Sequence, residues 1–258
     1  MTVGAVVREA PCAAASVDEL AAFERRFSYP LGARRFRIDH GSDYFAFFRD
    51  LGAPRAWVAE LAGRLVGVLV AVRRPPPFDA WYLCDLKVDP ETPGLGIGRR
   101  LLRAFDAAVG PKAAAFGVSM NDADGGNRLR DLALRRPGFR SIATLVVASM
   151  DFASWRRAAA AVREAFGATD FYDPAGKKDL VFDDGGRVPV LHFQHGPFAR
   201  GAPSRVEARP DARHFLCTLA DDPLVGRLGD AGASLATATV LERGAATRDY
   251  RLLLTSDI

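Results

Sequence analysis

The stretch DLKVDPETPGLGIGRRLLRAF, Asp85 to Phe105, concentrates residue types that can hold an anion. Gly94, Gly96 and Gly98 alternate with Leu95 and Ile97, and Arg99 and Arg100 follow at once. Glycines let the backbone turn tightly and approach a ligand with no Cβ in the way. A helix starting there leaves its first N–H groups without internal acceptors, free to take phosphate oxygens. Upstream, Leu86 and Val88 lie two apart, as on one face of a strand. Downstream, Ile97, Leu101, Leu102, Phe105 and Val109 recur at helical spacing. The reading is a strand, a phosphate loop and an amphipathic helix.

Spacing narrows the phosphate. A Walker-type loop needs Lys and then Ser or Thr after its last glycine, where Arg99 and Arg100 stand. A dinucleotide fingerprint starting at Gly94 needs a small residue at position 99. The order L-x-V-x-P, a short loop, G-x-G, then Arg-Arg-Leu-Leu instead resembles the acyl-CoA loop of the GNAT N-acetyltransferase superfamily. That family's pattern is Arg or Gln, two residues, Gly, one residue, Gly or Ala. It falls on Pro93-Gly94-Leu95-Gly96-Ile97-Gly98, with Pro93 at the Arg or Gln position.

The resemblance implies acetyl-CoA or CoA as co-substrate. Backbone groups of Leu86, Lys87 and Val88 would hold the pantetheine arm. The run Pro93, Gly94, Leu95, Gly96, Ile97, Gly98, Arg99 and Arg100 would cradle the pyrophosphate, and Asn127 would stand near the cofactor at the start of a later helix. The family's thiolate acid is a Tyr in a segment like Leu-Tyr-x-x-x-Gly-Phe. Here that segment is Ala133 to Phe139 and its Tyr position is Leu134, which has no proton to give. Tyr44 and Tyr82 are the substitutes; each also reads as a structural aromatic.

Transfer to an amine also needs a group that takes the amine's proton. Asp85 is the candidate: an acid among Leu, Cys and Val in a buried strand is unusual unless it has a partner. Pairing with an Arg at a strand edge is the other reading. His40 and Asp43, in the polar loop RFRIDHGSDY, read as a surface or pocket-mouth pair. His192 and His195 have no third acidic or Cys ligand adjacent, so no metal is expected.

With 258 residues, 49% hydrophobic and 26% charged, the chain allows two domains with filled cores. The net charge of +4 is spread as single and paired arginines, which suits a small anion better than the dense basic stripe of a nucleic-acid binder. Three scattered cysteines indicate neither a disulfide framework nor a zinc knuckle, and fit a reducing cytoplasm. No apolar run approaches the ~18 residues of a membrane span.

Between the N-terminus and residue 152 the order reads strand, helix, helix, hairpin, strand, helix, strand, helix, strand. The first helix has Ser16 as N-cap and Glu19 three residues on, a capping box. The fold class is α/β (α+β): the resemblance implies a mixed, mostly antiparallel sheet flanked by helices, open beside the loop. Residues 153–258 read as a smaller β-rich domain without a second glycine loop. Ser154 caps a short helix there, and DLVFDDGGRVPVLHF, HFLCTLA, SLATATVL and YRLLLTS read as β segments. A lid or a homodimer surface is one role for such a domain, and plain packing is the other. The expectation is an acyl-CoA-dependent N-acyltransferase acting on a small-molecule or peptide amine, with no nucleic-acid or membrane partner. Pro93 and Leu134 leave a non-catalytic acyl-CoA-binding protein as the alternative.

Overall fold

The computed structural model describes residues 4–12, 17–31, 34–201, 204–244 and 248–258; Ser16, the expected cap, lies outside them. In chain order, β1 (Val6–Ala10) leads into α1 (Val17–Glu24), β2 (Tyr29–Leu31), β3 (Arg34–Asp39) and α2 (Ala46–Leu51). The hairpin β4 (Ala53–Leu61) and β5 (Arg64–Arg74) precedes β6 (Ala80–Val88), α3 (Ile97–Val109) and β7 (Ala115–Met120). Next come α4 (Arg128–Leu134), β8 (Phe139–Met150), α5 (Phe152–Phe166), β9 (Phe171–Tyr172) and the hairpin β10 (Asp179–Phe182) and β11 (Arg187–Val188). The chain ends through β12 (Val190–Phe193), β13 (Arg205–Val206), β14 (Arg213–Leu219), α6 (Leu224–Asp230) and β15 (Ser234–Arg243).

One sheet runs β1-β4-β5-β6-β7-β15-β8-β14-β12-β9-β13. It is antiparallel except where β6 meets β7 and β12 meets β14. This is the mixed, mostly antiparallel sheet that the sequence implies. The last strand is the informative one. β15 lies between β7 and β8, bonded to β8 from Ser234 to Arg243 and to β7 from Ala238 to Arg243. β8 in turn pairs with β14. Each half therefore lends its final strand to the other, and residues 1–152 and 153–258 share one continuous ladder.

The second half also repeats an order from the first. β12, β14, α6 and β15 follow one another as β6, β7, α4 and β8 do, each series opening with a parallel pair. The described residues of the connector from β12 to β14 hold a 3₁₀ turn at Gly196–Phe198 and β13, and none of them forms a counterpart of α3.

The core has three parts. On one face of the sheet, Leu20 and Phe23 of α1 and Phe47, Phe48 and Leu51 of α2 pack with Val58, Val68, Val70 and Tyr82. On the other, Ile97, Leu101, Leu102 and Phe105 of α3 pack with Trp57, Leu69 and Ala71. Each such buried side chain contributes about 1.5–3 kcal/mol. Around α5 and α6, Trp155, Val162, Leu216 and Leu228 form the third.

Three local expectations are corrected. RFRIDHGSDY is no polar surface loop: Arg34–Asp39 is a strand, paired with β2 and with β10 of the other half, and His40 is buried. The long helix α5 is capped by Asp151, whose carboxylate accepts the Ser154 N–H at 2.7 Å. YRLLLTS is a 3₁₀ turn at Tyr250–Leu252 followed by a buried tail; its apolar residues fill the core without joining a ladder.

Because β15 bonds both halves, they should unfold together. Trp57 reports on the first half and Trp155 on the second. Variants keeping only one of these tryptophans should give superimposable urea transitions by fluorescence. Two separated midpoints would mean that the ladder does not couple the halves.

Candidate functional site

β6 and β7 pair only at Trp81–Ala115, Tyr82–Phe116 and Leu83–Gly117, then part. Their outer edges stay bonded, β6 to β5 as far as Val88 and β7 to β15 as far as Met120. The parting therefore opens a wedge along β6 from Cys84 to Val88, where the strand edge has no strand partner. Leu86, Lys87 and Val88 all stand on that edge.

The glycine loop leaves the end of the same strand. Gly94 and Gly96 take φ of +77° and +65°, the left-handed region that glycine adopts without steric cost. Gly98 serves a different need: a Cβ there would come within 2.9 Å of Leu132 Cδ2 on α4. Gly96 caps α3 without a side-chain bond, and the first internal bond runs from Arg100 N–H to Gly96 C=O at 3.0 Å. Among the described residues, nothing accepts the N–H groups from Gly94 to Arg99. A Cβ on Gly94 would meet open space, and one on Gly96 would meet Arg99 Nη2 at 3.3 Å, so the Arg99 guanidinium bends over the loop. Arg100 turns away toward the Ala5 carbonyl. Exposed Pro93 and Leu95 form the loop's rim. Orphan amides under one guanidinium fit a pyrophosphate.

A bulge decides what lies on the opposite face of β6. Val70 pairs with Asp85 and Ala71 with Leu83, so Cys84 is an extra residue. One inserted residue reverses the facing of all that follow. Leu86 and Val88 thus pack on the α3 side, while Asp85 and Lys87 point toward α1 and α2.

There the side chains form a buried polar cluster. Lys87 Nζ lies 2.7 Å from Asp85 Oδ1 and 2.7 Å from Glu24 Oε1. Tyr44 donates its hydroxyl to Asp85 Oδ2. His40 Nδ1 lies 3.0 Å from the Lys177 carbonyl, so this nitrogen carries the proton. Its Nε2 lies 3.5 Å from Glu24 Oε1. Burial and the nearby Lys87 charge push His40 down to about 4, so the ring is neutral near pH 7. An unprotonated Nε2 beside Glu24 then favours the protonated carboxyl.

The two carboxyls separate. Burial pushes Glu24 up to about 7 against the pull of Lys87. Burial also works to raise Asp85, but the Lys87 ammonium, His40 and the Tyr44 hydroxyl hold it below the usual carboxylate range. Asp85, expected as the base, is thus a poor proton acceptor held in an ion pair. Glu24 was not expected at all. The available signal was its place between Leu20 and Phe27 at i+4 and i+3, on the apolar stripe of α1.

Glu24, His40 and Tyr44 line a cavity of about 220 Å³ closed by Arg25 of α1, Arg37 and Asp39 of β3, and Val181 and Arg187 of the β10–β11 hairpin. The donor atoms of Glu24, His40 and Asp85 lie within 4.8 Å of one another, a spacing that suits a metal. Lys87 Nζ already bonds both carboxylates, so an ammonium supplies the positive charge at that point.

The remaining expected residues lie elsewhere. Asn127 caps α4 and uses its amide fully: it accepts from Arg130 N–H and Ser119 Oγ and donates to the Ser119 carbonyl and Asn121 Oδ1. It fixes the start of α4 against β7. Tyr82 stacks on Phe116 at 4.8 Å, and burial pushes its hydroxyl well above 10. The Tyr44 hydroxyl is also raised by burial, and its proton is committed to Asp85. Leu134 is 43% exposed at the end of α4. His192 bonds Thr255 Oγ1 at 3.0 Å and His195 stacks on Phe166, so the pair is structural. Asp43 is part-exposed and paired with Arg49. No described helix is long and apolar enough to cross a membrane.

Comparison with known proteins bears on the family and the fold. Residues 20–115 match the model of the acetyltransferase (GNAT) family. No curated protein sequence matches the chain. Among solved structures, a tandem GNAT protein from the clavulanic acid biosynthesis pathway matches at TM-score 0.55 and 14% identity, over 95% of this chain and 100% of its own. A Pyrococcus horikoshii protein assigned as an acetyltransferase matches at TM-score 0.53 and 12% identity, over 97% of this chain and 93% of its own. At these identities the likeness is one of fold, and it extends over both halves.

Removing Lys87 tests the cluster's energetics. Lys87→Met should cost about 3–5 kcal/mol in urea denaturation at pH 7, because Asp85 is left as a buried, unpaired carboxylate. A loss below about 1 kcal/mol, the range of an exposed pair, would refute the buried pairing.

Proposed function

We propose that the protein is an acyl-CoA-dependent N-acyltransferase; the match of residues 20–115 to the acetyltransferase (GNAT) family model and the likeness of fold to a tandem GNAT protein support this reading. It moves an acetyl group from acetyl-CoA to the amine of an acceptor by direct attack. The observation that carries this reading is the juxtaposition on β6: orphan amides and a parted strand edge serve one side, and the Glu24 cluster lies on the other.

Acetyl-CoA supplies the activated acyl group as a thioester. The amides of Gly94 to Arg99 and the Arg99 guanidinium hold its pyrophosphate, and the free edge at Leu86, Lys87 and Val88 offers main-chain groups to the pantetheine arm. Asn127 acts through the position of α4. Glu24 takes the role of base in place of Asp85, since a group near 7 accepts and releases protons at neutral pH. The amine nitrogen attacks the thioester carbonyl as its proton passes to Glu24. A C–N bond forms, the C–S bond breaks with its electron pair on sulfur, and water protonates the thiolate. Asp85 is a positioning residue that holds Lys87 and Tyr44. The β10–β11 hairpin acts as a fixed lid over the acceptor side.

A non-catalytic acyl-CoA-binding role keeps its two supports, Pro93 at the loop's Arg or Gln position and Leu134 at the exposed position of the Tyr. Calorimetric titration with acetyl-CoA, followed by thiol release with a broad amine panel, separates the readings. Binding with turnover is expected; no binding at millimolar acetyl-CoA would sink both, and tight binding without turnover would leave the second.

The pH profile tests the base. Around Glu24, Lys87 and Asp85 keep their charges across neutral pH, His40 stays neutral above about 4, and burial raises Tyr29 to about 12. Asp39, lower at the cavity, is held below the usual range: its Gly41 N–H and Arg187 outweigh the burial that would raise it. kcat/KM should therefore rise through an apparent pKa of about 7 as Glu24 loses its proton, with amines of differing basicity giving the same limb. Glu24→Gln should lower kcat about 10²–10⁴-fold and abolish that limb. A limb that persists in Glu24→Gln would assign the base elsewhere.

A further inference from the structure

The cavity's arginines carry information about the acceptor that the loop does not. Three guanidiniums line it, and their states differ. Arg187 is spent on the fold, paired with Asp39 at 2.5 Å and Asp179 at 2.9 Å. The Arg25 and Arg37 guanidiniums have no hydrogen-bond or ion-pair partner among the described residues, although Glu24 and Asp39 line the same cavity. Arg25 is exposed and Arg37 half-buried, so both belong to the outer part of the cavity, while Glu24, His40 and Tyr44 form its buried floor. Both contacts of Glu24 fall on Oε1, which leaves Oε2 for a donor in the cavity.

We propose that the acceptor is a small primary amine that also carries an anionic group, a carboxylate or a phosphate, with the amine at Glu24 Oε2 and the anion between Arg25 and Arg37. The proposal rests on the transferase reading and narrows it to a substrate class. The chemistry is complementary at both ends: a carboxylate on the floor takes the amine, and two planar guanidiniums at the mouth take oxygens bidentately. The volume agrees, since about 220 Å³ is below the 300–1,000 Å³ of sites for drug-sized ligands. Two cations without a partner among the described residues repel a polyamine or an aminoglycoside at the mouth before its amine reaches Glu24. An uncharged amine would leave the same arginines without a partner and gain nothing from them.

The test uses the full chain and matched probes: γ-aminobutyrate against butylamine, 2-aminoethyl phosphate against ethylamine, and spermidine. Thiol release from acetyl-CoA measures turnover, and calorimetric titration of each amine in the presence of CoA measures binding separately. The expected result is at least a tenfold higher kcat/KM for an anionic member over its uncharged match, with spermidine poorest. The two pairs tell a carboxylate from a phosphate. Arg25→Ser with Arg37→Gln should remove that preference mainly through KM, and Arg37→Lys should restore part of it; circular dichroism confirms folding.

Turnover with no preference for the anionic member, or with spermidine favoured, overturns the substrate class and leaves the transferase reading standing. Binding of anionic amines that the arginine variants abolish, without turnover of any amine, supports the ligand class and overturns the transferase reading. No binding of either anionic amine overturns the proposal.

Discussion

The ladder that holds β15 between β7 and β8 is the constraint from which the site follows. A strand from the second half bonds the outer edge of β7 along its length, so β7 cannot follow β6 when the two part after Leu83 and Gly117. The same interlock brings the second half over α1 and α2, where β10 pairs with β3. One topological fact thus yields both the wedge on one side and the closed cavity on the other. It also reaches the chemistry. The Lys177 carbonyl, just before β10, accepts the His40 Nδ1 proton and so fixes the tautomer that faces Glu24.

Within that frame, Lys87 sets the electrostatics. A buried ammonium between two carboxylates cannot satisfy both equally, and the remaining partners differ. Asp85 gains the Tyr44 hydroxyl and is held below the usual carboxylate range, whereas burial, helped by the Asp85 charge, pushes Glu24 up to about 7. Two acids near one cation are driven apart in pKa by their other neighbours, as acid and base assignments require. The bulge at Cys84 is the backbone device behind this, since without it Asp85 and Lys87 would face α3 and its apolar side chains.

The phosphate loop was legible because its signal is local: glycine spacing, flanking periodicity and a following arginine pair all lie within some twenty residues. Much of the sheet was legible too, since alternation and turn residues mark β4, β5, β8, β14 and β15. What could not be read depends on distant partners. Arg34–Asp39 looks polar and loop-like because its strand partner lies some 140 residues further on. Asp85 and Lys87 share a face by simple alternation, but which face that is depends on a bulge at Cys84 that no residue announces. Glu24 drew no reading, although the stripe from Leu20 through Phe23 to Phe27 runs past it. YRLLLTS has the composition of a strand, yet its apolar residues pack into the core without joining a ladder.

The second half shows why a fold can repeat while a site does not. β12 and β14 re-create a parallel pair, and α6 and β15 follow as α4 and β8 do. Yet the sequence of the connector carries no second glycine loop, and its described residues form no amphipathic helix to bring amides to the mouth of that pair. Its histidines are packed as core: burial pushes His192 well below 6.5, and His214 stacks on Trp155. The repeated half is therefore built to complete the first, supplying a strand to its sheet, a hairpin to its cavity and a carbonyl to its histidine. What distinguishes the functional half is the conjunction on β6 of a free edge, an anion loop and a bulge that turns two charged side chains to the opposite face.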